Sequence, residues 1–196
     1  MPAGNVEIHI SLTDGSVHRF RQDDYNAFAR FLVHLQPAKV FGNPQIIIGS
    51  AKSVHGFHST QVERIDLLVD SLPDYWTMPP HLVQTEEITR SEFESIVGLS
   101  PGGNMPPMAA KEGEIGQNYA EFELTSGARA YVRFHVRLRA AIEQKNTIQH
   151  LLVSGAIWFR RADRGYALLN VANMGRFSLF PGPPNLPATA WPMEKI

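Results

Sequence analysis

The chain has 196 residues, of which 43% are hydrophobic and 19% charged, a composition that excludes a chain disordered throughout. It contains no cysteine, which excludes disulfides, thiolate metal sites, iron–sulfur clusters and cysteine nucleophiles. The net charge of −1 hides an asymmetry, because residues 1–116 carry 8 Lys and Arg against 14 Asp and Glu, whereas residues 117–196 carry 10 against 5. This split favours a contact between the basic part and an anionic partner, or between the two parts within one chain or across a homodimer.

The sequence contains no run of the roughly 18 consecutive apolar residues that a membrane helix requires. Its first residues lack the basic flank and apolar block of a signal peptide. We therefore expect a cytoplasmic protein with no membrane partner.

Residues 1–70 are predicted to form an acidic, β-rich unit with one helix. Apolar residues alternate with polar ones from position 6 to 12, and Asp14-Gly15 then supplies a hairpin turn. A helix is predicted over about 24–36, with Asp23 or Asp24 as its N-cap and Pro37 after its end. The segments "QIIIGS" and "VERIDLLV" are predicted strands, so the unit is ββαββ-like.

Residues 71–116 are rich in Pro, Gly and Met and are predicted to be a connector with one short helix. Ser91 and Glu94 match a capping box for that helix, and Gly98 marks its end. Residues 117–182 alternate with period two and predict a basic antiparallel unit, either a five-strand meander or a small barrel. Residues 183–196 form a Pro-rich tail. The predicted fold class is therefore α+β and β-rich, with two antiparallel-sheet units.

A weak internal repeat relates the two units. "LTDG" at 12–15 recurs as "LTSG" at 124–127, and "VERIDL" at 62–67 recurs as "MGRFSL" at 174–179, both at an offset of 112. Equal offsets favour internal duplication. The alternative is that hairpin turns and closing strands simply resemble one another, because the first copy predicts a helix where the second predicts a strand.

The most informative segment is "ARAYVRFHVRLRAAI" at 128–142, whose odd positions place cationic and aromatic side chains on one face of a predicted strand. A three-residue turn at 125–127 would pair Glu123 with Arg129, and pairing with the next predicted strand would place Tyr131 beside Trp158. Guanidinium groups bind carboxylates or phosphates and stack on rings. The candidate contact residues are Arg133, His135, Arg137 and Arg139, with Tyr131 and Trp158 as aromatic neighbours.

These residues favour a non-enzymatic binding or assembly module that contacts an acidic protein surface, including a second copy of the chain. One alternative is a face that is merely solvated or paired within the chain. A second is a binder of polyanions or single-stranded nucleic acid, which the near-neutral net charge disfavours. A third is an enzyme with a His-containing cleft, near His55 and His58, which are also weak candidates for a metal site. No cofactor is predicted.

Overall fold

The structure is a computed structural model that describes residues 6–50, 52–70, 72, 76, 78, 82–98, 113–137 and 154–181. The elements within these ranges comprise strands, two α-helices and three short 3₁₀ turns at Val40–Gly42, Ser59–Gln61 and Val171–Asn173. In chain order the strands and helices are β1 (Val6–Leu12), β2 (Val17–Gln22), α1 (Tyr25–Leu32), β3 (Gln45–Gly49), β4 (Val54–His58), β5 (Val62–Leu68), β6 (Leu82–Ile88), α2 (Arg90–Val97), β7 (Ile115–Leu124), β8 (Arg129–Arg137), β9 (Ala156–Arg160), β10 (Tyr166–Asn170) and β11 (Met174–Phe180).

Nine strands form one mixed sheet in the order β11-β7-β8-β6-β9-β10-β5-β1-β2, and β3 pairs with β4 in a separate two-stranded sheet. The pairs are antiparallel except for β6 with β9, which run parallel and join at Glu86 and Arg160. The predicted α+β class with antiparallel pairing is confirmed. The predicted small barrel is wrong, because the nine-stranded sheet is open, with β11 and β2 as its end strands. The predicted meander is also wrong at two steps, because β6 lies between β8 and β9 and because β11 pairs with β7 rather than with β10.

The first hairpin and the first helix lie where the sequence predicts them. The Leu12 N–H donates to the Ser16 carbonyl at 2.9 Å, and Gly15 has a φ of 85°, which glycine adopts without steric cost. Helix α1 begins after Asp24, whose carboxylate accepts a hydrogen bond from the Asn26 N–H at 2.8 Å. The helix ends at Leu32, four residues short of the prediction. The segment predicted to join the next two strands contains a further strand, β4.

The connector contributes a strand that its sequence pattern does not predict. Strand β6 lies in the interior of the sheet between β8 and β9, so these two do not pair directly. Helix α2 follows at once, and its N-cap is Thr89 rather than Ser91, because the Thr89 hydroxyl accepts from the Glu92 N–H at 3.2 Å. Gly98 ends the helix in the left-handed conformation, as predicted.

The apolar core divides into two main clusters on opposite faces of the sheet. Leu168 belongs to the cluster of the first unit, and its neighbour Leu169 belongs to the cluster of the second. Successive side chains of a strand point to opposite faces, so β10 contributes side chains to both clusters. Each fully buried aliphatic or aromatic side chain stabilises the fold by about 1.5–3 kcal/mol. In the described residues, neither helix is long and apolar enough to cross a membrane.

The two sequence units are joined by antiparallel pairing of β10 with β5, which places Leu168 opposite Ile65. The side chains of Trp158 and Tyr166 pack against the first cluster, and the Trp158 ring lies 5.9 Å from that of Trp76 and 6.1 Å from that of Tyr166. The β9–β10 hairpin of the second unit therefore completes the core of the first.

Candidate binding surface

The candidate cationic face lies on β8, and its pairing with β7 agrees with the prediction. Glu123 lies opposite Arg129, Glu121 opposite Tyr131, and Tyr119 opposite Arg133. The even positions of β8 are buried in the second cluster, as the alternation predicts. The odd positions form the opposite face.

Arg129 lies at the start of β8 and is paired within its own hairpin. Its guanidinium lies 3.0 Å from the Glu121 carboxylate and 2.9 Å from the Glu123 carboxylate. The Arg129 side chain is 41% exposed, so solvent screens both of these pairs. This end of the face is a solvated set of ion pairs.

Arg133 and His135, in the middle of β8, are contacted by carboxylates from β6 and α2. The Arg133 guanidinium lies 2.9 Å from Glu86 and also pairs with Glu92, while the His135 ring lies 3.3 Å from Glu86. Burial alone would lower the pKa of Arg133, but the hydrogen bond and charge of Glu92, together with the charge of Glu86, outweigh burial and raise it. The guanidinium therefore stays charged and is neutralised within the chain.

The two aromatic candidates lie in different places. Tyr131 is 8% exposed and packs against Phe93 of α2, with ring centroids 5.0 Å apart. Trp158 lies on β9 opposite Leu168. The predicted pairing of Tyr131 with Trp158 is wrong, because β6 separates their strands and places Ile88 opposite Tyr131. The two rings do not form one stacking platform.

Arg137 is the candidate that remains accessible. Arg137 is exposed, and it has no ion-pair partner in the part of the chain that the structure describes. Arg139 lies outside the described residues. The face is therefore much less cationic than its sequence indicates, since Arg129, Arg133 and His135 all contact carboxylates.

A polar cleft of about 300 Å³ opens where β6 and β9 diverge. Arg160 lines it and has no ion-pair partner among the described residues, whereas Arg161 pairs with Asp66 at 3.0 Å and with Asp163 at 2.7 Å. Both signs of charge line the cleft: Glu86, Glu87, Glu92 and Asp163 against Arg133, Arg160 and Arg161. This mixture does not produce the uniformly positive field that draws in a polyanion.

The histidine pair lies on β4 and its end. His55 and His58 are three residues apart on a strand, so their side chains point to opposite faces. The His55 ring lies 3.1 Å from the Ser53 hydroxyl and packs on Phe20. Within the described ranges no group of three or more His, Cys, Asp or Glu could hold a metal ion.

Large apolar side chains are exposed on strands at the edges of both sheets, on β3 and β4, on β11, and on β2, where Val17 is 50% exposed. Val54 of β4 is 72% exposed, Ile47 of β3 is 58% exposed, and Phe177 of β11 is 39% exposed. Strand β11 ends the large sheet, and β3 and β4 form a sheet of two, so each of the three strands has a backbone edge unpaired with any described strand. The signal for the first edge is the run Ile46-Ile47-Ile48, since a strand with one buried face cannot bury three consecutive side chains.

Comparison of the chain with protein-family models, with curated proteins and with solved structures finds no match in any of the three. Inference about function therefore starts from the geometry and chemistry of the described residues.

Proposed function

We propose that the chain is a non-enzymatic protein-binding module that assembles with its partner through the edges of its β-strands. The observation that carries this proposal is the exposure of Ile47, Val54 and Phe177 beside strand edges that no described strand pairs with. Such edges offer backbone donors and acceptors to another chain, and apolar side chains add affinity. Arg133 and His135 on the β8 face are a weaker candidate, because Glu86 and Glu92 already contact them.

We further propose that the module arose by internal duplication with an offset of 112 residues. Support comes from the hairpin turns, since Gly15 and Gly127 have φ values of 85° and 86°. It also comes from the hydrogen bond that follows each first strand, from the Thr13 N–H to the Gln61 carbonyl at 2.9 Å and from the Thr125 N–H to the Asn173 carbonyl at 3.0 Å. All of these positions are 112 apart.

The order of elements supports the same correspondence. Strand β4, the turn Ser59–Gln61 and β5 have the same lengths as β10, the turn Val171–Asn173 and β11, each 112 residues later. Strands β3 and β9 also have equal lengths, with an offset of 111. Each closing strand has one irregularity against its partner, next to Leu12 in the first unit and next to Met174 in the second. The principal difference is β6, which is inserted between β8 and β9.

Binding of polyanions remains a second candidate, supported by the exposed Arg137 and Arg160. A stacking surface does not support it, because Tyr131 and Trp158 lie apart on different strands and Tyr131 is buried. Generic single-stranded DNA at low salt tests this candidate, since counterion release makes such binding strongest there.

The test of edge binding is selection of random ten-residue peptides on the purified full chain, followed by hydrogen exchange of the chain with each selected peptide. We expect peptides of alternating apolar residues that slow exchange of backbone amides in β4 or β11. Acidic peptides that slow exchange around Arg137 would instead favour the cationic face. Failure to select any peptide above background, together with salt-dependent DNA binding, would overturn the proposal in favour of the polyanion candidate.

A further inference from the structure

We infer that copies of the chain join head to tail, with β4 of one copy pairing antiparallel with β11 of the next. This inference rests on the proposed function and names the partner as a second copy of the chain. The internal pairing of β10 with β5 provides the template, because β10 corresponds to β4 and β5 corresponds to β11 at the offset of 112. Strands β10 and β5 thus pair with each other inside the chain, whereas β4 and β11 each have one edge that pairs with no described strand.

The internal junction fixes the register of the proposed one. Within the chain, β10 and β5 pair as Tyr166 with Leu67, Ala167 with Asp66, Leu168 with Ile65, and Leu169 with Arg64. Shifting each position by 112 gives the pairs Val54 with Leu179, His55 with Ser178, Gly56 with Phe177, and Phe57 with Arg176. The central pair sets the smallest residue of β4 against the bulkiest exposed side chain of β11. A Cβ added at Gly56 meets nothing within 4 Å, so Phe177 has room above it.

The exposed apolar side chains on the β3–β4 hairpin correspond to side chains that are partly buried at the internal junction. Trp158 and Tyr166 of the β9–β10 hairpin pack on the core of the first unit. Their counterparts on the β3–β4 hairpin are Ile47, 58% exposed, and Val54, 72% exposed. Among the described strands, this junction therefore forms once, between β10 and β5, and the corresponding edges of β4 and β11 have no partner strand.

The receiving strand shows the same contrast. Ile65 of β5 is fully buried beneath β10, whereas its counterpart on β11, Phe177, is 39% exposed. Leu67 is also fully buried, and its counterpart Leu179 is only partly buried. Pairing with β4 of a second copy would cover β11 in the way that β10 covers β5.

The polar contacts at the internal junction also have counterparts 112 residues away. The Asn170 side-chain amide donates to the carbonyl of Ser59 at 3.0 Å and to that of Val62 at 2.8 Å. The counterpart of Asn170 is His58, and the counterparts of the two acceptors are Val171 and Met174. A histidine ring N–H can donate to a carbonyl, as the amide does. His58, exposed in one chain, thus acquires an acceptor in the next.

The template also sets the symmetry of the contact. It joins two different strands, so β4 of one copy meets β11 of the next rather than a second β4. Neither β4 nor β11 contains Asp or Glu, so this pairing buries no acidic side chain. Contacts between unlike surfaces close into rings or extend into filaments.

The test is sedimentation velocity of the full chain over a concentration series. We expect the unmodified chain to associate with rising concentration, and V54K or F177K to weaken that association at least about tenfold, since each buries a charge in a strand pairing. Val17→Lys is the matched control, because Val17 is 50% exposed on β2, outside the proposed junction, and this variant should associate normally. Circular dichroism shows whether each variant is folded.

Mixing the variants separates head-to-tail from symmetric assembly. V54K leaves β11 unchanged, and F177K leaves β4 unchanged. In an equal mixture, β4 of F177K can therefore pair with β11 of V54K, and the resulting heterodimer should grow no further because its two remaining edges carry the substitutions. In a symmetric dimer, by contrast, one of the two variants should associate as strongly as the unmodified chain, and mixing should not increase association. This result would overturn the inference. A chain that is monomeric at every concentration would overturn it too, while peptides selected on the same edges would leave the proposed function standing.

A disulfide tests the register directly, because the chain has no cysteine of its own. Gly56→Cys and Phe177→Cys in separate chains are directly opposite in the proposed pairing, at the spacing that a disulfide spans. Mild oxidation of the mixture should give one covalent heterodimer, and Val17→Cys mixed with Phe177→Cys should give none. Equal cross-linking in both mixtures would overturn the register.

Discussion

The carboxylate of Glu63 on β5 accepts two hydrogen bonds from Ser126 in the turn between β7 and β8, from the backbone N–H at 3.1 Å and from the hydroxyl at 2.5 Å. Glu63 is 1% exposed, so this contact satisfies a buried acidic group. It joins the first unit to the second away from the β10–β5 pairing. The two units are thus joined by side-chain hydrogen bonds as well as by backbone pairing.

Replacing Ser126 by alanine tests this contact. The variant leaves the buried Glu63 carboxylate with the backbone N–H alone, and we expect the free energy of unfolding to fall by about 1.5–3 kcal/mol. Urea denaturation measures the change. Ser95→Ala on the exposed side of α2 is the control and should change stability by less than about 0.5 kcal/mol. Equal effects of the two substitutions would contradict the role given to Ser126.

Gly165 permits the close approach of the β9–β10 turn to β5. It has a φ of 84°, and a Cβ built there would lie 2.0 Å from the Leu67 carbonyl oxygen. Gly165→Ala should therefore cost the 1–2 kcal/mol of the left-handed conformation plus the displacement of β5, a total above about 2 kcal/mol. Gly127→Ala is the matched control, with a φ of 86° and nothing within 4 Å. A thermal unfolding scan that shows similar losses for both would rule out the steric contribution.

The sequence predicts the hairpins well because their determinants are local. Alternation places apolar residues of β1, β7 and β8 on one face, and a turn of fixed length sets the register, so the pairing of Glu123 with Arg129 follows from the residues near it. The helix α2 is predicted for the same reason, although Thr89 rather than Ser91 is the residue that caps it.

The sequence does not predict the partners of the cationic face, because they come from the connector. Residues 82–88 lack period-two alternation, and β6 is a strand because tertiary packing between β8 and β9 places it there. Its Glu86 and the Glu92 of α2 then contact Arg133. The anions that Arg133 contacts in the fold are carboxylates of the same chain.

Arg64 connects two carboxylates in the interior of the sheet. Its guanidinium donates to Asp66 at 2.8 Å and to both oxygens of Glu87, at 2.7 and 3.2 Å. Burial would lower the pKa of Arg64, but the charges of Asp66 and Glu87 and their hydrogen bonds raise it above the ordinary value. The cation therefore remains charged in a largely buried site.

Arg64→Ala removes the only described cation that contacts Glu87, whereas Asp66 keeps its pair with Arg161. We expect the free energy of unfolding to fall by about 3–5 kcal/mol, because the largely buried Glu87 carboxylate is left without a cation among the described residues. Arg64→Lys keeps the positive charge but lacks the planar guanidinium, so we expect it to be more stable than Arg64→Ala and less stable than the unmodified chain. Arg21→Ala is the control, since its pair with Asp23 is exposed and contributes at most about 1 kcal/mol. Guanidinium denaturation of the three variants measures their free energies of unfolding and so their order of stability.

Asp163 makes the stability of the β9–β10 turn depend on pH. A hydrogen bond from Arg161 is the main cause that holds the pKa of Asp163 far below its ordinary value, against the opposing effect of desolvation. A group whose pKa is lower in the folded state stabilises the fold above its unfolded value of about 3.9, and this contribution is lost as the pH falls through the folded pKa. The Asp163 side chain is 64% exposed, so solvent screening limits the contribution to about 1 kcal/mol or less.

We therefore expect Asp163→Asn to be less stable than the unmodified chain at neutral pH by up to about 1 kcal/mol. The difference should shrink steadily below about pH 4, because the unmodified chain then loses the same interaction by protonation. Urea unfolding at a series of pH values measures both stabilities. Glu114→Gln, at an exposed residue without an ion-pair partner in the described segments, shows the effect of removing one surface charge. A difference for Asp163→Asn that grows toward acid would reverse the sign and contradict the assignment of a depressed pKa.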